Sequence, residues 1–332
     1  MFMKIKHLAL ALVAMTVAAG LVSCGEKKKE AKSATVVCDN SFKDIMEQEI
    51  DLFEYNYPGN FILCNYVPQA VAIDSLMSGN TRTAIIGRDL TKGEKAQLRK
   101  QFSSVRSMQL AVDAVALIVN PANPVDAVSL EELGSIMRGE VKSWYDLDPT
   151  GEKRNIQVAF DDEGSSLAIF MRDNVVKGNK FGDNVRSVGS VDSVINFVQE
   201  RPGAIGVVGV SWLTRDLEMR DTMSIDERVE RLRAEETFDG NILNQNMDKQ
   251  TGIKVLGVMR NDSPIPYKPY QQFIYDGKYP LTREIWIVST QGTVGAANKF
   301  YTYVTSPEGQ RILTHTGVMP ARMKTVVYEV SN

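Results

Sequence analysis

The chain has 332 residues, 43% hydrophobic and 24% charged, with a formal net charge of −3. That length exceeds one ordinary core and predicts two domains, and the mildly acidic balance excludes a basic nucleic-acid-binding face. Of its two histidines, His7 falls in the leader-like opening and leaves His315 alone, so a histidine metal site or a Ser-His-Asp triad has no material.

Met1-Phe2-Met3-Lys4-Ile5-Lys6 is a basic opening, residues 8–22 form an apolar run, and Leu21-Val22-Ser23-Cys24 ends it in small residues. This is the pattern of an export signal. The run is shorter than the roughly 20 residues a spanning helix needs, and the charged residues 26–32 follow it. The tetrapeptide resembles the bacterial lipobox, which implies cleavage before Cys24 and acylation of its thiol; the alternative is a free cysteine after an ordinary cleavage site. The expected division is 1–23 signal peptide and 24–33 lipid-anchored tether. Loss of Lys4 and Lys6 with the signal takes the net charge from −3 to −5, so any anion site must come from local geometry. Cys38 and Cys64 remain, at the ends of apolar runs, open either to a disulfide in an oxidising compartment or to two buried thiols.

From residue 35 onward, short β-branched or apolar runs alternate with amphipathic stretches, which predicts an α/β fold with a mainly parallel sheet. Thr35-Val36-Val37-Cys38 is the first strand, and Phe42, Ile45, Met46, Ile50 and Phe53 give the 3.6-residue period of a helix that starts at Ser41 and stops at Pro58-Gly59. Phe61-Ile62-Leu63-Cys64, a helix over 70–78 and the strand Ala84-Ile85-Ile86 continue the alternation, and Thr91 with Glu94 forms a capping box for the next helix. Ala114-Val115-Ala116-Leu117-Ile118-Val119-Asn120 is an unbroken apolar strand before Pro121 and Pro124, and a crossing between lobes is expected there. A second alternating series follows, beginning with a helix capped by Ser129 and Glu132. Residues 213–251 read as a charged surface excursion with one helix. Residues 284–289 form the expected return crossing, and Ser306-Pro307 opens the last helix. The expected lobes are 34–115 plus 285–332, and 116–284.

Ligand sites in such folds lie where strand ends face one another. Three strand-to-helix junctions suit an anion. Asn40, Ser41 and Phe42 offer free backbone N–H groups and a hydroxyl at a helix start. Arg88, after the third strand, has a guanidinium that can fork onto an oxyanion. Gly164, Ser165 and Ser166 repeat the first arrangement in the second lobe. Plain helix caps remain open for Ser41 and Ser165, and an ion pair for Arg88. Asp161-Asp162-Glu163 lacks the spacing of a calcium loop. Gly203, Gly206 and Gly209 fit close packing better than a nucleotide loop, and Trp144 and Trp212 read as core anchors.

Ala111-Val112-Asp113-Ala114-Val115-Ala116-Leu117-Ile118-Val119-Asn120 resembles the first hinge strand of phosphate-binding proteins from high-affinity phosphate ABC transporters, the PstS-like proteins of the type 2 periplasmic-binding-protein fold. Ser129-Leu130-Glu131-Glu132-Leu133 with Gly139 and Trp144, Gly203-Ala204-Ile205-Gly206-Val207-Val208-Gly209, Tyr279-Pro280-Leu281-Thr282-Arg283 and Ser306-Pro307-Glu308-Gly309-Gln310 with Gly317 and Pro320 are similar to that family too, in the right order over nearly the whole mature chain. The resemblance implies two doubly wound α/β lobes joined by a two-strand hinge, and a dehydrated phosphate held by Ser41, Arg88, Ser165 and Ser166. The chain departs from the family at Gly164-Ser165-Ser166-Leu167, where Gly-Ser-Gly-Thr is typical, and at Asp161, where an arginine is frequent. Its first loop is Asn40-Ser41-Phe42, not a Gly-Ser-Thr type.

The expected function is that of an exported, lipid-anchored, monomeric solute-binding protein, on the periplasmic side of the membrane. It would capture inorganic phosphate or a related oxyanion by hinge closure, without a cofactor or covalent chemistry, and deliver it to the membrane permease of an ABC importer. A carboxylate in the cleft can accept a hydrogen bond from a protonated phosphate and reject sulfate. The alternative with the same fold is a binder or sensor of another oxyanion or small organic anion. An enzyme would need a metal cluster or activated nucleophile that no constellation supplies.

Overall fold

The computed structural model describes residues 32–149, 153–214, 223–234 and 252–322, with isolated positions between 244 and 249. The expected export signal, Cys24, most of the expected tether and much of the 213–251 excursion lie outside the described residues. β1 (Lys32–Asp39), a 3-10 turn (Asn40–Phe42) and α1 (Lys43–Asn56), then β2 (Asn60–Val67) and α2 (Gln69–Met77), then β3 (Thr83–Ile86) and α3 (Lys92–Gln101) repeat one strand–helix unit. β4 (Arg106–Val119) precedes a second series: β5 (Ala127–Ser129) and α4 (Leu130–Met137), β6 (Gln157–Phe160) and α5 (Ser166–Asn174), β7 (Val185–Ser187) and α6 (Val191–Glu200), β8 (Ala204–Gly209) and α7 (Ser211–Thr214). α8 (Ile225–Ala234), β9 (Lys254–Val255), β10 (Gly257–Met259), β11 (Pro266–Tyr267) and α9 (Gln271–Tyr275) follow, and β12 (Thr282–Ser289), α10 (Ala296–Val304), α11 (Pro307–His315) and β13 (Met319–Pro320) close the described chain.

The main sheet runs β2-β1-β3-β12-β4-β8-β6-β7, with β9 and β13 also on β4. Pairing is parallel at each end, β2-β1-β3 and β8-β6-β7, and antiparallel through β12 and β4. β4 belongs to both halves. Its residues from Arg106 to Ala114 pair with β12, and those from Val115 to Val119 pair with β8. The partner changes between Ala114 and Val115, where the chain leaves one α/β lobe for the other. The Val115 N–H donates to Leu281 O at 2.8 Å and the Val210 N–H to Ala114 O at 2.9 Å, so the returning chain lies beside the outgoing one.

Each lobe is doubly wound because its strands are apolar on both faces. Strand side chains alternate, so Val36, Cys38, Ile85 and Ile287 enter one core while Val37, Ala84, Ile86 and Val288 enter another. Each such fully buried aliphatic side chain contributes about 1.5–3 kcal/mol, against about 1 kcal/mol or less for exposed pairs such as Arg172–Asp173. Burial therefore dominates. Helix boundaries follow local chemistry: Thr91/Glu94 and Ser129/Glu132 form complete capping boxes, Ser306 caps α11 with Pro307 in its first turn, and Gly79 and Gly139 sit past the ends of α2 and α4 at φ +79° and +74°. Gly206 is needed for packing, since a Cβ there would lie 2.7–2.9 Å from Val194, Ile118 and Val198. Cys38 and Cys64 are free thiols.

Candidate anion site between the lobes

β1 and β3 end at Asp39 and Ile86 in the first lobe, and β6 ends at Phe160 in the second. The residues that follow these carboxyl ends meet across the cleft, where open α/β sheets place their ligands. Asp39 heads the 3-10 turn that runs into α1, and Ser165 caps α5 by accepting from the Ala168 N–H. The two turns point their unsatisfied N–H groups at one place.

The side chain at that place is the carboxylate of Asp39. It accepts from the Ser41 N–H at 3.0 Å and from the Ser41 hydroxyl on its own lobe, and from the Ser166 N–H at 3.0 Å and the Ser166 hydroxyl at 2.9 Å across the cleft. The Ser41 and Ser166 hydroxyl oxygens lie 3.0 Å apart. Asp39, Ser41, Ser165 and Ser166 are all buried. Backbone dipoles and alcohol groups thus surround a carboxylate with donors in place of water.

Arg283, on β12 beside the hinge, brings the positive charge. Its Nε and Nη2 donate to Asp113 Oδ2 at 2.9 and 2.7 Å, its Nη1 donates to the Ser166 hydroxyl, and its guanidinium lies 4.4 Å from the Phe42 ring centre. This ion pair, with both donors on one carboxylate oxygen, is 1% exposed on each side. Burial lifts the Asp113 carboxyl above its ordinary pKa even with Arg283 beside it. Gly209 leaves room for the pair, since a Cβ there would lie 3.1 Å from Asp113 Oδ2.

Asp161 is 1% exposed, and neither carboxylate oxygen has a hydrogen-bond partner at normal geometry, although the Ser165 hydroxyl and the Asp162 amide lie close enough to act on it. Its pKa is pushed up to about 6, first by burial and then by the charge of Asp39, which Ser165, the Asp162 amide and Arg283 offset only in part. The lobes are in close contact here. A Cβ on Gly87 would lie 2.6 Å from Ser166 Cβ, the Trp212 Nε1–H donates to Ser41 O at 3.2 Å, and the Ala70 N–H donates to Gly164 O at 3.3 Å.

Among the residues expected from sequence, Ser41 and Ser166 stand at the centre, Ser165 caps α5 behind them, Phe42 supports Arg283, and Gly164 contacts the opposite lobe. Asn40 is half-buried, and its carbonyl accepts from the Lys43 N–H in the 3-10 turn. Arg88 is not brought to this place: its guanidinium forks onto Glu94 at 2.9 and 2.8 Å, and the pairing holds the Glu94 carboxyl down at about 2. The capping carboxylate of α3 takes the guanidinium expected for the ligand, and the guanidinium beside Ser166 is that of Arg283. Asp39 heads the first of the three junctions read from sequence, with no role assigned to its side chain, and Asp113 and Arg283 fall outside those junctions; the signal available was a charged residue at a strand end or crossing. Trp212 is buried as expected but also reaches across the lobes.

A family model described as "PBP superfamily domain" matches residues 26–308. A phosphate-binding protein PstS of Pseudomonas aeruginosa is 19% identical, with 97% of each chain covered. One of Staphylococcus saprophyticus is 23% identical over 66% of this chain, and that match spans 57% of the relative's length. Among solved structures, a phosphate ABC transporter substrate-binding protein from Clostridium perfringens with bound phosphate superposes at a TM-score of 0.65 and 19% identity, covering 87% of this chain and 100% of that one. At that identity the likeness shows the fold, two α/β lobes about a cleft. The chain belongs to the PBP superfamily and is similar to its PstS-like phosphate-binding proteins.

Proposed function

We propose that this protein captures phosphate, or a closely related protonated oxyanion, in the interlobe cleft and hands it to the permease of an ABC importer from a lipid anchor at Cys24. The observation that carries the reading is the convergence of Ser41 and Ser166 donors, one set per lobe, on a single carboxylate. A phosphate oxygen fits the same donors. Closure about a hinge at residues 114–115 and 281–282 would assemble the site, since half of its donors come from each lobe. The names of similar proteins support phosphate as the solute.

Asp161 gives selectivity. A buried carboxylate without a donor is costly, and a ligand that carries a proton relieves it while a fully ionised dianion such as sulfate adds repulsion. Calorimetry at pH 7 tests the reading: phosphate should bind and sulfate should not, and Ser166→Ala should weaken phosphate binding. Sulfate binding as well as phosphate, or binding insensitive to Ser166, overturns it. A small organic anion carrying its own hydrogen-bond donor is the second reading, favoured by the same unpartnered Asp161. A thermal-shift panel separates the two, because a solute at a hundredfold its Kd stabilises the folded state by about 2.7 kcal/mol.

A further inference from the structure

We infer that Asp39 is the cleft's resident anion: its carboxylate closes the two lobes in place of a solute, and an incoming oxyanion must displace it to take the same donors. This rests on the site assignment above and adds a control that the assignment does not contain.

A helix-capping aspartate normally bonds the N–H groups of its own turn. Asp39 does this through the Ser41 N–H, but it also accepts from the Ser166 N–H and hydroxyl, 127 residues away on the other lobe. The Ser166 N–H belongs to the first residue of α5, one of the orphan donors that an anionic ligand would satisfy. Asp39 is fully buried, so these charge-assisted bonds form away from water, where they are strong. The lobes also touch directly around it: Ser166 lies against Gly87, where even a Cβ would not fit, and Trp212 bonds Ser41 O.

The charges around the seat point the same way. The facing ionised groups are Asp161 from the end of β6, and Arg283 from β12, which is already paired with Asp113 of β4. A second anion entering beside Asp39 would meet two carboxylates and a single guanidinium with a partner. Displacement of Asp39 removes one of these negative charges and frees all the Ser41 and Ser166 donors at once. Apparent affinity is then the intrinsic affinity multiplied by the fraction of molecules in which Asp39 is out of the seat.

The test compares wild type with Asp39→Gly and Asp39→Asn, first by small-angle X-ray scattering in phosphate-free buffer, then by calorimetry with inorganic phosphate. Wild type should be compact without phosphate. Asp39→Gly should show a larger radius of gyration that falls on phosphate addition, and should bind phosphate at least about tenfold more tightly, as expected if the seated form exceeds nine-tenths of the population. Asp39→Asn keeps the shape without the charge and should fall between the two; it decides the matter if the glycine variant does not fold. Wild type that opens without phosphate and closes with it, or variants as compact as wild type without phosphate, would overturn the inference. If the variants open but no protein binds phosphate, the latch stands and the phosphate reading fails; if wild type binds phosphate and the variants bind it more weakly, the reverse holds.

Discussion

In the proposed site Asp161 is a buried carboxylate held at a cost to stability. An unfolded aspartate titrates near 3.9, and in the fold Asp161 is raised to about 6 by burial and by Asp39. A raised acid binds its proton more tightly in the folded state, so its contribution is fully present below about pH 4 and is lost as pH rises through 6. Asp161→Asn is therefore expected to stabilise the protein by about 1–3 kcal/mol at pH 8, with the gain disappearing toward pH 4, as measured by urea unfolding at the two pH values. The same change should impair discrimination of phosphate from sulfate. No gain at pH 8 would mean that the unpartnered carboxylate is not strained. Asp113 is the opposite case, because it is paired. Asp113→Ala would leave the Arg283 guanidinium buried without a partner and should cost about 3–5 kcal/mol, and replacing both with apolar residues of similar size should recover most of it.

At the scale of elements, the sites of closest backbone approach control the cleft. Gly87 follows β3 and faces Ser166 at the start of α5. Gly87→Ala needs no unusual φ, yet its Cβ would stand 2.6 Å from Ser166 Cβ, so the lobes must separate. It should raise the radius of gyration and weaken phosphate binding while leaving the unfolding midpoint of the lobes nearly unchanged. Thr91→Ala removes one half of the α3 capping box and should cost about 1 kcal/mol in chemical denaturation. Much of this was legible in sequence, because caps, glycine stops and the alternation of Val36, Val37 and Cys38 are local signals. Two features were not. β4 begins at Arg106, not near Ala114, since Arg106, Ser107 and Gln109 give no apolar run and are ordered by pairing with β12 across a bulge. α1 begins at Lys43, not Ser41, because Asp39 caps a tighter turn first. The placement of Asp39 and Arg283 was hidden for the same reason: it is set by partners 127 and 117 residues away, and a strand-end aspartate or arginine has the same local pattern in a plain turn.

For the molecule as a whole, a sheet shared through β4 and returned through β12 makes two lobes whose strand ends face each other. The repeated strand–helix pattern announced this organisation, because both lobes bury apolar residues on both faces of their sheets. What the cleft holds depends on which groups the hinge brings together, and the proposed seat for an oxyanion is formed by donors from Ser41 and Ser166. The most direct measurement is a crystal structure of the protein saturated with phosphate. Tetrahedral density is expected, bonded to the Ser41 and Ser166 hydroxyls and the Ser166 N–H, close to Arg283 and Asp161, with the Asp39 carboxylate displaced. Phosphate bound elsewhere, with Asp39 still between the two serines, would contradict it.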